Sequence, residues 1–326
     1  MNEFKAIKKY FLPLTNGNEA ANYLQDDVAA ISFNNKKLII SKDLMAEDVH
    51  FRKSDGAYNI ACKLLKANLS DIASSGAKPK YYMLGFSQLN KFDKTFIKNF
   101  CQGLKDISDE FGISLIGGDS IKTKEKLFFS ITIFGEALCD KYLKRNNAED
   151  GDMIFVSGDL GDAFLGLQIL EQQIICSNTT YKKYLINRHL QPSPQIDLGM
   201  ALVQNNLSKA AIDISDGFLA DLLHLCDSSG LDAVIYQELV PISVAAKYLI
   251  KNQNLDSTKL LSGGEDYELI FTANKKHHDQ IMQLAPKLKI KITCVGKMQK
   301  AKSKPKIKLF GGNNLPIKIT EYGYVH

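Results

Sequence analysis

Acidic residues in this chain recur where predicted strands and helices end, and that placement limits the folds open to it. The segments are Asp26-Asp27, Asp43 with Glu47-Asp48, Asp71, Asp119 after Gly117-Gly118, and Asp213-Ile214-Ser215-Asp216-Gly217. Ser262-Gly263-Gly264-Glu265-Asp266-Tyr267-Glu268-Leu269 repeats the style. Carboxylates from such distant segments, flanked by Gly and Ser, are what a site for several hard cations needs. Mg²⁺ takes oxygen ligands and is usually shared between a few carboxylates and a substrate phosphate. The sequence has no GxxxxGK[ST] stretch and no GxGxxG after a strand. A Walker cradle and a kinase-type glycine loop are therefore excluded, and any ATP phosphates must be held by metal ions.

The hydrophobic pattern supplies the scaffold. A short strand is predicted over residues 37–41 and a helix over 57–75, where Ala61, Leu64, Leu65, Leu69 and Ile72 recur near a helical period. Between Asp27 and Asp43 there is room for a hairpin that returns both carboxylates to one end. A strand over 81–89, a helix over 96–111 and a short strand over 113–116 follow. Residues 127–137 alternate apolar and polar side chains, as a half-buried antiparallel strand does. This order predicts an α/β layer with a mixed sheet. The polar stretch 140–152 is the expected boundary, giving domains 1–139 and 140–326. Beyond it, strands are predicted over 153–157, 211–214, 233–236, 267–272 and 290–295. Helices are predicted over 160–173, 182–188, 196–204, 218–226 and 277–284.

Bulk properties exclude other classes. The formal net charge of +5 is too mild to argue for nucleic acid, and the lysines from Lys297 to Lys308 read as a solvated face. Cys62, Cys101, Cys139, Cys176, Cys226 and Cys294 form no CxxC pair and read as reduced, mostly buried thiols. No apolar run is long enough for a membrane helix, and Met1-Asn2-Glu3-Phe4-Lys5 lacks a signal-peptide core. A cytoplasmic protein is expected.

Each acidic motif alone has an ordinary structural reading. Ser215 or Asp216 is a good helix N-cap, but capping does not explain Asp213 coming off an apolar strand. Gly117-Gly118 reads as a tight turn or as close approach of backbone to a ligand. Asn68, Ser70 and Asp71 are poor helix formers inside a helical pattern, which fits either an exposed turn or a polar, specific contact. A lone His such as His50 is more often structural, and His189, His224, His277 and His278 are read that way.

In their order and spacing, these motifs resemble the thiamine-monophosphate kinase family, within the aminoimidazole ribonucleotide synthetase superfamily. The matching segments are Asp26-Asp27-Val28-Ala29-Ala30, Ser41-Lys42-Asp43, Val49-His50-Phe51, Asn68-Leu69-Ser70-Asp71, Gly117-Gly118-Asp119, Ile212 through Gly217, and Ser262 through Leu269. The resemblance implies an N-terminal α/β domain whose sheet pairs across a homodimer, and a C-terminal α+β domain. It implies direct in-line transfer of the ATP γ-phosphoryl group to thiamine monophosphate, giving thiamine diphosphate and ADP. It implies that Asp27, Ser41, Lys42, Asp43, Asp71, Asp119, Asp213 and Asp216 lie at Mg²⁺ positions, with Asp71, Asp213 and Asp216 central to catalysis. Gly118, Asp119, Arg145 and Ser215 would contact ATP; His50, Glu265 and Tyr322 would lie at the thiamine substrate.

Three positions depart from the family pattern. Gln25 stands where Gly is usual. Lys42 stands where Thr is usual: if that side chain ligates metal, a site is lost or the lysine charge replaces it; if only the carbonyl matters, nothing is lost. Glu321 falls where an aromatic is expected over the thiamine, leaving Tyr322 or Tyr324 to serve. The rival readings are a sister enzyme of the superfamily and a non-catalytic Mg-nucleotide-binding protein. Residues 1–61 hold no Cys and the sequence closes on Tyr324-Val325-His326, against the two sister enzymes that need a reactive Cys in those places.

Overall fold

The computed structural model describes residues 7–15, 17–33, 36–89, 93–138 and 141–324. The first hairpin is the one expected between Asp27 and Asp43. Strands β1 (Ala29–Phe33) and β2 (Lys36–Ala46) pair antiparallel, with Ile31 opposite Leu38. Helix α1 (Ala57–Ser75) and strand β3 (Lys78–Leu89) follow, then α2 (Lys94–Phe111), β4 (Ser114–Thr123) and β5 (Phe128–Glu136). The five strands form a mixed sheet in the order β1-β2-β5-β3-β4, in which only β3 and β4 run parallel.

The alternation read in β5 sets the two faces of this sheet. Phe129, Ile131 and Ile133 are fully buried against the core that holds the helices. The opposite face leaves Leu44, Tyr81, Met83 and Phe128 exposed. Strand β4, at the edge, is exposed over nearly its whole length.

The predicted strand at 113–116 extends through the glycines instead of stopping at them. The pairing passes from Tyr82–Leu115 to Met83–Gly117, so Ile116 is an extra residue in a bulge. A side chain at Gly118 would bring its Cβ to 2.0 Å from the Leu84 carbonyl oxygen. The two glycines therefore permit close strand approach rather than a turn.

The second part of the chain contains β6 (Met153–Ser157), α3 (Asp162–Leu170), α4 (Thr179–Leu190), α5 (Ile196–Gln204), β7 (Ala210–Asp213), α6 (Phe218–Ser229) and β8 (Leu231–Tyr236). It continues through α7 (Val244–Gln253), α8 (Thr258–Ser262), β9 (Leu269–Ala273), α9 (His278–Leu288), β10 (Ile292–Lys300), β11 (Ile307–Phe310) and β12 (Pro316–Ile317). Its seven strands order as β12-β11-β8-β10-β6-β9-β7. Alternate residues of the sheet face different cores: Phe155 and Phe271 join the core around α1, whereas Ile154, Ile212 and Ile270 pack with Phe218 and Leu222 of α6.

Helix α1 is the hub. Leu64, Leu69 and Ile72 share one core with Phe129 and Ile131 of the first sheet and with Leu198, Leu202 and Phe271 of the second part. Because both sides of α1 are covered, its polar residues are buried too: Lys63, Asn68, Ser70, Asp71, Ser74 and Ser75. An exposed turn at 68–71 is thereby replaced by buried, specific polar contacts.

Helix α3 is shorter than the 160–173 stretch expected. The Asp266 carboxylate accepts the Gly161 and Ala163 N–H groups and fixes the start, while Gln172 turns to φ +60° beyond the end. Helix α4 is longer than expected because Asn178 caps it at the Tyr181 N–H. The boundary expected between residues 139 and 140, and Cys139, lie outside the described residues. Among the described cysteines, Cys62, Cys176 and Cys226 are buried, Cys294 is half-buried and Cys101 is exposed, all as free thiols.

Candidate active site

Three carboxylates from distant segments converge beside α1. Asp27 precedes β1, Asp71 lies near the end of α1, and Asp213 ends β7; one oxygen from each lies within 4.8 Å of the other two. Ser41 on β2 joins them, donating its hydroxyl to Asp71 Oδ2 at 2.5 Å and to the Asp27 carbonyl at 3.0 Å. Ser74 donates to Asp27 Oδ2 at 3.2 Å. Arg145 pairs with both Asp27 oxygens, one through Nε at 3.0 Å, and its backbone N–H donates to Asp26 Oδ1. Asn68 accepts the Asp43 N–H at 3.2 Å and so ties β2 to α1.

Crowding of like charges shapes the chemistry. Burial, then the charges of Asp213 and Asp216, pushes the Asp43 carboxyl up to about 6. Burial, Asp43 and Asp213 push Asp71 well above the carboxylate range, against a lowering by the Ser41 hydroxyl. Burial raises Asp213, and Arg145 works against it. Hard oxygen donors that repel one another when ionised are suited to divalent cations, which would offset that repulsion.

The Asp213–Gly217 loop is held from beneath. Asp221 Oδ2 accepts the N–H groups of Ser215, Asp216 and Gly217 at 3.0–3.2 Å. Asp221, Asp216 and His224 also have ligand atoms within 4.8 Å of one another. The Ser262–Leu269 segment crosses this loop: Glu265 N–H donates to the Ser215 carbonyl and Tyr267 N–H to that of Ile214, both at 2.8 Å. Gly264 permits the crossing, since a Cβ there would lie 2.4 Å from the Ser215 carbonyl oxygen.

On the other side of the site, Glu265 and His50 meet around a buried lysine. Lys63 donates to Glu265 Oε1 at 2.6 Å and to the His50 carbonyl at 2.9 Å. His189 Nδ1 lies 3.0 Å from Glu265 Oε2. Burial would raise the Glu265 pKa, but Lys63 and His189 bring it down to about 2. The His50 ring accepts the Ala46 N–H at its Nδ1.

Other expected residues lie apart. Asp43, Ile131, Leu84 and Gly118 follow one another across four strands, so Asp119 is three strands from Asp43. At about 4.8 Å per strand that is ~14 Å, too far for both to bind one ion within one chain. Lys42 projects from the face of β2 opposite Ser41 and Asp43, and its ammonium lies 3.4 and 3.3 Å from the Ser130 and Thr132 hydroxyls. A cationic side chain there adds no ligand to the carboxylate cluster. Tyr322 lines a groove of about 200 Å³ with Phe310, Ile317 and Ile319. Tyr324 donates its backbone N–H to the Asp216 carbonyl at 2.9 Å, and Ser262 bonds the Glu321 carbonyl, so the tail is strapped to the Asp213–Gly217 loop.

Lys63 and Asp221 carry structural weight here that sequence reasoning missed, and His189, read as structural, has a specific partner in Glu265 that the sequence did not show. Lys63 had one signal: a charged residue inside the apolar stripe of α1. Asp221 had another, an acid in the first turn of a helix that follows Ser215-Asp216-Gly217. His189 had none.

Comparison with known proteins defines the class first. Residues 25–137 match the family profile "AIR synthase related protein, N-terminal domain", and residues 149–308 match the corresponding C-terminal domain. The thiamine-monophosphate kinase of Buchnera aphidicola subsp. Schizaphis graminum is 36% identical over 301 residues, covering 90% of each chain. That of Haemophilus influenzae is 35% identical over 303 residues, covering 91% of this chain and 89% of the relative. The chain belongs to the thiamine-monophosphate kinase family. A solved structure described as AaThiL complexed with AMPPCP and TMP superposes with a TM-score of 0.85 at 27% identity, covering 100% of this chain and 97% of that one. The Stenotrophomonas maltophilia K279a enzyme gives 0.76 at 31% identity, covering 92% and 96%.

Proposed function

We propose that this protein transfers the γ-phosphoryl group of ATP to thiamine monophosphate, forming thiamine diphosphate and ADP by direct in-line displacement. The convergence of Asp27, Asp71 and Asp213 is the observation that carries the reading. Several Mg²⁺ ions, when bound, would neutralise the phosphates and bridge donor to acceptor. Asp27, Ser41, Asp43, Asp71, Asp213 and Asp216 are the residues to hold them, with Lys42 limited to its backbone carbonyl. Phosphoryl transfer asks mainly for positioning and charge stabilisation. The acceptor phosphate is already ionised near neutral pH, so no strong general base is required. Arg145, fixed on Asp27, and the Ser215 end of the α6 loop face the nucleotide; His50 and Glu265 face the acceptor. The strapped tail supplies aromatic cover through Tyr322 or Tyr324.

The assembly is a homodimer built on the first sheet. Its exposed apolar face is the kind of patch that marks an interface. Packing two such sheets would also let Gly118 and Asp119, stranded in their own chain, serve a partner's nucleotide. The chain divides its labour as domains 1–139 and 140–326, and the reaction belongs to the cytoplasm, where ATP is made. No helix among the described residues is long and apolar enough to cross a membrane.

Product analysis tests the reading: purified protein with Mg-ATP and either thiamine monophosphate or free thiamine. Stoichiometric thiamine diphosphate and ADP from the monophosphate alone is the expected result. Mg-ATP binding without product would replace the kinase with a sister substrate or a binding-only role.

A further inference from the structure

Lys63 sits in the middle of α1 with its side chain only 2% exposed. Its ammonium is surrounded by groups from three segments: the Glu265 carboxylate at 2.6 Å, the His50 carbonyl at 2.9 Å and His189 Nε2 at 3.5 Å. Glu265 keeps 21% of its side chain exposed and holds φ at +69°, a left-handed conformation that a non-glycine residue keeps only when its surroundings enforce it. Two cations approach His189 Nε2, Lys63 Nζ at 3.5 Å and Arg52 Nη2 at 3.3 Å, the latter while pairing with Asp55. Burial, together with Lys63 and Arg52, lowers the His189 pKa and keeps the ring neutral, against a raising influence from Glu265.

A carboxylate that borders a phosphorylated acceptor poses an electrostatic problem, because two anions at short range repel. Lys63, almost wholly buried, meets the Glu265 carboxylate on its inner side. We propose that Lys63 is a positioning residue for the acceptor side of the site: it fixes Glu265 and His50 relative to each other and cancels the Glu265 charge, so that a phosphate-bearing acceptor can approach. This rests on the reading that thiamine monophosphate is the acceptor. The acceptor pocket is therefore assembled from both halves of the chain by one buried ammonium, whereas the nucleotide side does not depend on it.

Steady-state kinetics on Lys63→Met, Glu265→Gln and the double variant test the role. Lys63→Met is expected to raise KM for thiamine monophosphate about tenfold or more while KM for ATP stays within about twofold. The double variant leaves no buried charge unpaired, so it folds even where Lys63→Met does not. Its acceptor KM should fall well short of the product of the two single effects, since both residues act through one pair. Multiplicative effects, a parallel rise in both KM values, or a lowered melting temperature with both KM values unchanged would each overturn the role. A wild-type protein that forms no thiamine diphosphate removes the functional reading and this role with it; an active wild type showing one of those three outcomes removes the role alone.

Discussion

The Ser41 hydroxyl meets the Asp71 carboxylate at 2.5 Å and ties the middle of β2 to the end of α1. This bond holds Asp71 in place before any cation arrives, and an amide oxygen would accept it equally well. Asp71→Asn is therefore expected to fold with an unchanged or raised melting temperature, because one repelling charge is gone. Turnover should drop at least ~10²-fold, the scale seen when a group stabilising developing charge is lost. Asp216→Asn should behave alike. Full activity in either would sink the shared-metal site.

The Asp43 carboxyl, raised to about 6, predicts opposite pH trends with and without metal. Between its unfolded value near 4 and its folded value, the native state holds the extra proton, so metal-free stability falls as pH rises through that window. Mg²⁺ needs the carboxylate form, so its stabilisation grows over the same range. Thermal melts with and without Mg²⁺ at about pH 5 and about pH 7.5 should show a larger Mg²⁺ shift at the higher pH. Equal shifts would argue that Asp43 is not among the ligands.

Glu265 titrates the other way. Its folded pKa of about 2 lies below the ordinary glutamate value, so its contribution is fully present above about pH 4.5 and is lost as pH falls toward 2. The difference corresponds to an upper bound on the order of 3 kcal/mol. Acid denaturation of Glu265→Gln should therefore be flatter than wild type between about pH 5 and 2, and an identical acid limb would remove the charged Lys63–Glu265 pair from the account.

Asp221 supports three backbone N–H groups at once. Asp221→Ala leaves them unpaired in a partly buried loop and is expected to cost about 3 kcal/mol, read as a lower denaturant midpoint at constant slope. Asp221→Asn keeps one acceptor oxygen and should recover about half of that loss. A loss under about 0.5 kcal/mol in the alanine variant would mean the loop is held by other contacts.

Sequence made the carboxylates legible because Asp71, Asp119 and Asp216 stand beside Gly or Ser, Asp27 precedes the first strand and Asp213 ends β7. The placement of Lys42 was not legible, for a geometric reason. A strand read as ending at residue 41 leaves the next side chain undirected, but β2 runs on to Ala46, and strand alternation then turns Lys42 away from Ser41 and Asp43. Gly117-Gly118 misled in the same manner: a glycine pair reads as a turn, and only the neighbouring strand reveals a bulge. Lys63 and His189 take their meaning from partners up to 202 residues away, a relationship that local pattern does not encode.

Gly264 lies against the Ser215 carbonyl, and Gly217 against that of Ser262, so the two crossing loops have no slack between them. They behave as a single lamina with the proposed cation ligands on one edge and Glu265, the proposed acceptor residue, on the other. Lineages of this chain that adjust the fit of one substrate by moving either loop must shift the fit of the other as well. Selectivity for the acceptor and grip on the nucleotide are thus mechanically geared, and changes to them should arise in pairs.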